Sequence, residues 1–342
     1  MTLTAEPSST AAAPSPGVTG PAGPPVPFDP ELAPALRIIK DLMPPLTSQT
    51  LAVMRAGIPG LEPVDDATLA RDGEYLVQER TVPGPAGEPD ISLLICRPAG
   101  ATAPTPAIYH THGGGMVMGD NRAGIEDQLT LARTVGAAVV SVEYRLAPEA
   151  PHPAPVEDCY AGLVWTAAHA DELNLDPERI VIAGASAGGG LAAGVALMAR
   201  DRGGPTLFGQ MLLCPMLDDR NDTPSAVQMA GLGVWDHGDN EFGWGALLGA
   251  DRGTERVSPY AAPARAGDLS GLPPAFIDVG SAETFRDEDV AYASRIWQAG
   301  GRAELHVWPG GFHGFDMMAP DALVSQDARA ARHAWLRRLF GL

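Results

Sequence analysis

The segment Gly184-Ala185-Ser186-Ala187-Gly188 constrains this chain more than any other. It stands between an apolar strand candidate, RIVIA, and a helix candidate, GLAAGVALMARD. A chain that reverses from strand to helix within one residue strains its backbone there, and small neighbours relieve the crowding. The apex side chain then projects above the sheet, with a helix N-terminus behind it that favours developing negative charge. G-x-S-x-G in this strand–turn–helix setting reads as a nucleophile elbow with Ser186 at its apex. A phosphate loop would require GxxxxGK[ST], but no lysine is near: the only one in the chain is Lys40. A dinucleotide turn would place glycine where Ser186 stands, which argues against a Rossmann oxidoreductase.

Around the elbow, apolar runs alternate with helical segments. PAIYHT, AAVVSVEY, RIVIAGAS, GQMLLCPM, PAFIDVG and AELHVW read as strands. GIEDQLTLARTVG, PVEDCYAGLVWTAAHADEL, DVAYASRIWQAG and the closing SQDARAARHAWLRRLF read as helices between and after them. Continuous apolar strands separated by helices predict an α/β fold with a mostly parallel central sheet covered on both faces. EYLVQERTV and ISLLICRP flank a turn-rich PGPAGEPD and predict an antiparallel pair. Residues 1–27, dominated by Ala, Pro, Ser, Thr and Gly, predict a disordered tail. Residues 28–72 predict a small helical arm, with Leu32, Leu36 and Ile39 at helical spacing. Residues 73–342 form the main domain, and a stretch at about 217–263 breaks the alternation as a lid or pocket wall.

The net charge is −19. That argues against a nucleic-acid partner, which needs a basic face, and against docking on anionic lipid. No apolar run approaches the length of a membrane span. Cys96, Cys159 and Cys214 are far apart in apolar surroundings, so neither a metal cluster nor a disulfide framework is expected. With no basic and apolar start of a signal peptide, the expected location is cytoplasmic.

Further segments complete the chemistry that the elbow begins. His112-Gly113-Gly114-Gly115 follows a strand, and the Gly113 and Gly114 amides, with that of Ala187, are candidates for an oxyanion hole. His112 is read as an organiser of that loop. A general base must lie after the last strand, where His313 stands in PGGFHGF. His306 falls inside the strand, His237 in the lid-like span and His333 on the final helix, where packing or solvation suffices. The triad acid should follow PAFIDVG, and Glu283 occupies that loop, with Asp287 and Asp278 as alternatives. Met116, Val117 and Met118 are candidate pocket residues or buried filler, and Asp218, Trp235 and Trp244 are further pocket candidates.

Together HGGG, GASAGG and FHGF resemble the hormone-sensitive-lipase-like α/β-hydrolases, the bacterial HGGG esterases. The stretch from Glu143 to Glu149 matches the family's YRLAPE segment, Asp158 the acid that follows it, and residues 214–219 its post-strand motif. The resemblance runs from about Glu74 to the C-terminus. It implies an α/β-hydrolase fold, a cap over the pocket of which residues 28–72 form part, and no metal or organic cofactor. It implies hydrolysis of short-to-medium acyl esters of small molecules, and it admits a homodimer. The family often has Asp at the triad acid, where this chain has Glu283, as in a recognised subgroup. An amidase, lactonase or acyltransferase would use the same triad. A non-catalytic ligand-binding homologue would be expected to lack His313, which is present.

Overall fold

The computed structural model describes residues 23–57 and 64–342. The expected tail falls, over 1–22, outside the described residues, as do residues 58–63 of the expected cap. Among the described residues there are eight strands: β1 Tyr75–Val82, β2 Ile91–Pro98, β3 Thr105–Thr111, β4 Ala138–Glu143, β5 Leu175–Ala185, β6 Gly209–Leu213, β7 Ala275–Gly280 and β8 Ala303–Trp308. They form one sheet in the order β1-β2-β4-β3-β5-β6-β7-β8. β2 is antiparallel to both β1 and β4, and every other neighbouring pair is parallel. All six expected parallel strands are present, and the expected hairpin pairs Val82 with Ile91 and Tyr75 with Pro98.

Alternate residues of the central strands bury on opposite faces. Leu93, Ile95, Tyr109, Val140, Ile182, Leu212 and Ile277 share a core with the helices Ala154–Ala168, Ala187–Arg202 and Arg286–Gln298. Leu94, Ile108, Val139, Val181, Met211 and Phe276 share another core with the helices Ile125–Val135 and Leu323–Phe340. The elbow helix is buried from Ala187 to Ala199. Its Gly and Ala content lets backbone approach backbone: a Cβ on Gly190 would stand 2.1 Å from the Met216 carbonyl oxygen.

The parallel register places the functional loops together. Thr111 pairs with Gly184, Ala185 with Leu213, Leu213 with Asp278, and Gly280 with Trp308. The carboxyl ends of β3, β5, β6, β7 and β8 therefore stand in line, and the loops leaving them meet on one edge.

Before β1, the helix Ala33–Leu42 buries Leu36 and ends before Pro44. At the apolar stretch LTSQTLAVM of the expected arm, the helix covers only Leu51–Arg55. Thr47 and Thr50 account for this: the Thr50 hydroxyl accepts from the Thr47 amide at 2.8 Å and donates to the Pro45 carbonyl at 2.7 Å, competing with helix hydrogen bonds. Between β6 and β7, residues 217–263 contribute the helices Pro224–Gln228 and His237–Leu248, the latter opened by a capping box from Asp236 to Asp239. Among the described residues no helix is long and apolar enough to cross a membrane.

Candidate active site

Ser186 caps the elbow helix at φ 59° and ψ −125°, a left-handed backbone that a serine adopts only under constraint. The constraint is visible. The Ser186 amide donates to Leu213 O at 2.8 Å, and its carbonyl accepts from Gly190 N at 3.0 Å and Met216 N at 2.9 Å. The flanking glycines are dictated by space. A Cβ on Gly184 would lie 2.4 Å from the Gly188 carbonyl, and one on Gly188 would lie 2.1 Å from the Thr111 carbonyl oxygen. The Thr111 hydroxyl donates to Gly188 O at 2.7 Å and ties the turn to β3.

His313 leaves β8 on a loop held against the loop that leaves β7. Ser281 N donates to Trp308 O at 2.8 Å, Ala282 N to Gly311 O at 3.0 Å, and Gly310 N to Ser281 Oγ at 2.8 Å. Gly280 lets them close, since a Cβ there would meet Gly311 O at 2.1 Å. The result is a chain of contacts: Ser186 Oγ lies 2.9 Å from His313 Nε2, and His313 Nδ1 lies 3.3 Å from Glu283 Oε1. A carboxylate facing Nδ1 favours the ring proton there, which leaves the Nε2 lone pair facing the Ser186 hydroxyl. Phe285 stands edge-on to the imidazole at 5.2 Å. Burial pushes the Glu283 carboxyl above the usual range, and the neighbouring His313 ring pulls it back.

The alternative acids are engaged elsewhere. Asp287 pairs with Arg286 at 2.7 Å and accepts the Ser225 amide at 2.8 Å. Asp278 accepts from Arg332 Nε at 2.8 Å and Trp308 Nε1 at 3.2 Å.

The glycine loop after β3 faces the elbow. A Cβ on Gly113 would touch Ala185 O at 3.0 Å and Ser186 Cβ at 3.6 Å. Gly114 and Gly115 have φ of +111° and +61°, and a Cβ on Gly115 would sit 2.2 Å from the Trp235 ring. Among the described residues, the Gly113 and Gly114 amides have no hydrogen-bond acceptor. His112 holds the loop from beneath: its ring stacks on Tyr144 at 4.0 Å, and Nδ1 donates to Gly113 O at 2.8 Å. Burial lowers its pKa to about 4, so the ring is neutral at pH 7.

The pocket candidates separate into groups. Met116 and Val117 are fully buried and Met118 partly so. Trp235 covers Gly115 and donates to Asn240 Oδ1 at 3.2 Å, whereas Trp244 is fully buried. The Asp218 carboxylate is held by Arg220 Nε at 2.8 Å. A groove of about 570 Å³ opens beside this region, lined by Leu51, Arg55, Glu149, Phe242 and Ala246, with no triad residue in its wall.

Two residues at the site had no expected place there from the sequence. Arg55 donates through Nε to Val117 O at 2.7 Å and through Nη2 to Ala147 O at 2.9 Å, and pairs with Glu149. It thereby ties the N-terminal helices to the glycine loop across 62 residues of chain, and no motif marks it. Cys214 lies beside Glu283 and His313, although its position in CPM gave no hint of that.

Known proteins resemble this chain along most of its length. Residues 108–317 match the α/β-hydrolase fold family. The carboxylesterase NlhH of Mycobacterium tuberculosis is 34% identical over 315 residues, covering 90% of this chain and 96% of that protein. Among solved structures, a bacterial heroin esterase superposes with a TM-score of 0.82 at 38% identity, covering 91% of this chain and 98% of the other. The esterase LipW of Mycobacterium marinum gives 0.80 at 32% identity, covering 92% and 98%. With the elbow, the glycine loop and the strand order in place, the chain belongs to the hormone-sensitive-lipase-like branch of the α/β-hydrolases.

Proposed function

We propose that the chain, an esterase by family, hydrolyses short-to-medium acyl esters of small molecules through Ser186, His313 and Glu283 and an acyl-enzyme intermediate. The observation that supports this reading most is the contact chain Ser186 Oγ–His313 Nε2 at 2.9 Å and His313 Nδ1–Glu283 Oε1 at 3.3 Å. The Ser186 oxygen attacks the ester carbonyl carbon while Nε2 takes its proton. The carbonyl oxygen becomes an oxyanion, which the Gly113, Gly114 and Ala187 amides receive. Such donors, fixed before the charge forms, account for two to three orders of magnitude in related chemistries, roughly 2.7–4 kcal/mol each. Collapse of the tetrahedral species breaks the C–O bond, and His313 gives its proton to the departing alcohol. Water then enters, loses a proton to His313 and attacks the acyl carbon; the bond from that carbon to Ser186 Oγ breaks, His313 returns the proton to Oγ, and the acid is released. Glu283 holds the imidazole in the required tautomer and stabilises its charged form. Asp287 and Asp278 have no part in this reading, because Arg286, Ser225, Arg332 and Trp308 use them.

The test is hydrolysis of p-nitrophenyl esters of increasing acyl length by the wild-type chain and Ser186→Ala. Turnover that falls with acyl length and disappears in the variant is expected. A folded wild-type chain inactive on every ester would refute the substrate class, and activity surviving in Ser186→Ala would refute the nucleophile.

A further inference from the structure

From sequence no metal cluster is expected, because the cysteines are far apart and in apolar surroundings. Folding alters this for Cys214. Directly after β6 the chain turns through a left-handed residue, Cys214 at φ 37°, whose amide donates to Asp278 O at 2.6 Å. That turn brings its thiol to the back of the triad. Cys214 Sγ, a carboxylate oxygen of Glu283 and a ring nitrogen of His313 all lie within 4.8 Å of one another. Glu283 is 3% exposed, and its Oε2 has no hydrogen-bond partner among the described residues. A buried carboxylate oxygen without a partner leaves its lone pairs unsatisfied at a cost of about 1–3 kcal/mol, so this corner has unused ligating capacity.

We propose that Cys214, Glu283 and His313 form a binding site for a borderline-soft divalent transition-metal ion, with Zn²⁺ as its type, and that occupancy switches the enzyme off. The inhibitory half of this proposal rests on the triad assignment above; the binding half does not. One thiolate, one imidazole and one carboxylate form a donor set for zinc, cobalt or cadmium and not for the all-oxygen shells of calcium or magnesium. Tetrahedral zinc with bonds of about 2.0–2.3 Å holds its ligand atoms roughly 3.3–3.6 Å apart, so side-chain motion of about 1 Å closes the site. As the sulfur–metal bond forms, the Cys214 thiol proton passes to solvent. Glu283 and His313 contribute lone pairs, and one water molecule would complete the tetrahedral shell. The nitrogen facing Glu283 is Nδ1. A metal there confines the ring proton to Nε2, leaving no lone pair to accept the Ser186 proton. The same ion occupies the carboxylate that steadies the imidazole.

The experiment uses the full, tag-free chain. Co²⁺ is titrated into Ser186→Ala, and the near-ultraviolet thiolate-to-cobalt charge-transfer band is followed, with Zn²⁺ added to compete. The band is expected to appear, to vanish with Zn²⁺, and to be lost in Ser186→Ala/Cys214→Ser. Zn²⁺ inhibition of ester hydrolysis, scaled to each variant's own metal-free rate and reversed by chelator, should weaken about 100-fold in Cys214→Ser, as expected for a weakened metal site. No thiolate band, or equal Zn²⁺ sensitivity in Cys214→Ser, overturns the proposal. Should Cys214→Ser fail to fold, the band in the cysteine-intact chain and the sensitivity of Cys214→Ala decide it. Because the band needs no turnover, a wrong triad would still leave a clear answer on binding.

Discussion

Glu283→Gln exchanges a buried carboxylate for an amide of nearly the same shape, and the structure sets the expected loss. When His313 takes the Ser186 proton it becomes a cation 3.3 Å from Glu283 Oε1. At an effective dielectric constant near 20, two unit charges at that distance attract by roughly 332/(20 × 3.3), about 5 kcal/mol. At 1.36 kcal/mol per decade that is between three and four orders of magnitude. The amide oxygen still accepts from Nδ1–H, so part is retained, and kcat should fall by on the order of 10² to 10⁴. KM should change little, because Glu283 does not face substrate in this reading. The folded state should survive, since the substitution removes a carboxyl whose ionisation burial already opposes. The assay is steady-state hydrolysis of p-nitrophenyl acetate near pH 8, with thermal melting beside it. A kcat within tenfold of wild type in a folded variant would refute the reasoning, and neither Asp287 nor Asp278 offers a ready replacement, because both are held in other pairs.

Two other outcomes follow from the glycine loop. Burial keeps His112 neutral in the folded chain down to about 4, whereas the unfolded chain protonates it near 6.5. Between these values only the unfolded chain takes up the proton. The contribution is therefore intact above about pH 6.5 and is lost as pH falls, by about 2 kcal/mol at pH 5. Urea unfolding of wild type and His112→Asn at pH 7 and pH 5 should show the variant losing about 2 kcal/mol less; equal losses would refute the assignment. For the Arg55 clamp, Arg55→Met leaves the Val117 and Ala147 carbonyls without this donor and should lower kcat/KM by about tenfold through a loosened glycine loop. Glu149→Gln breaks only a solvent-exposed ion pair and should change kcat/KM by less than about twofold. Equal effects of the two substitutions in kinetics at matched ionic strength would show that the ion pair, not the carbonyl bonds, does the holding.

What was legible in the sequence, and what was not, divides along one physical line. The fold and the elbow could be read because they depend on local requirements. Buried parallel strands need unbroken apolar runs, and a one-residue reversal needs Gly184 and Gly188 where a Cβ would meet backbone at 2.4 and 2.1 Å. Glu283 and His313 could be named as candidates because parallel register brings successive strand ends to one edge, so position after a strand stands in for position in space. Position after the strand favours Glu283, and what engages the competing Asp287 is revealed by no spacing: it holds Arg286 and the Ser225 amide. The helix at Leu51–Arg55 came out short because two threonine hydroxyls outcompeted an apolar pattern. Arg55 and Cys214 escaped because an arginine bonding to carbonyls, or a thiol behind a triad, needs no partner nearby in sequence. Cys214 shows the consequence most clearly. The parallel register that assembles Ser186, Glu283 and His313 also sets the end of β6 behind them. Whatever residue stands there faces the acid and the base together. A small hydrophobe would only fill that space, whereas a thiol adds a soft donor beside the carboxylate and imidazole of the proposed triad.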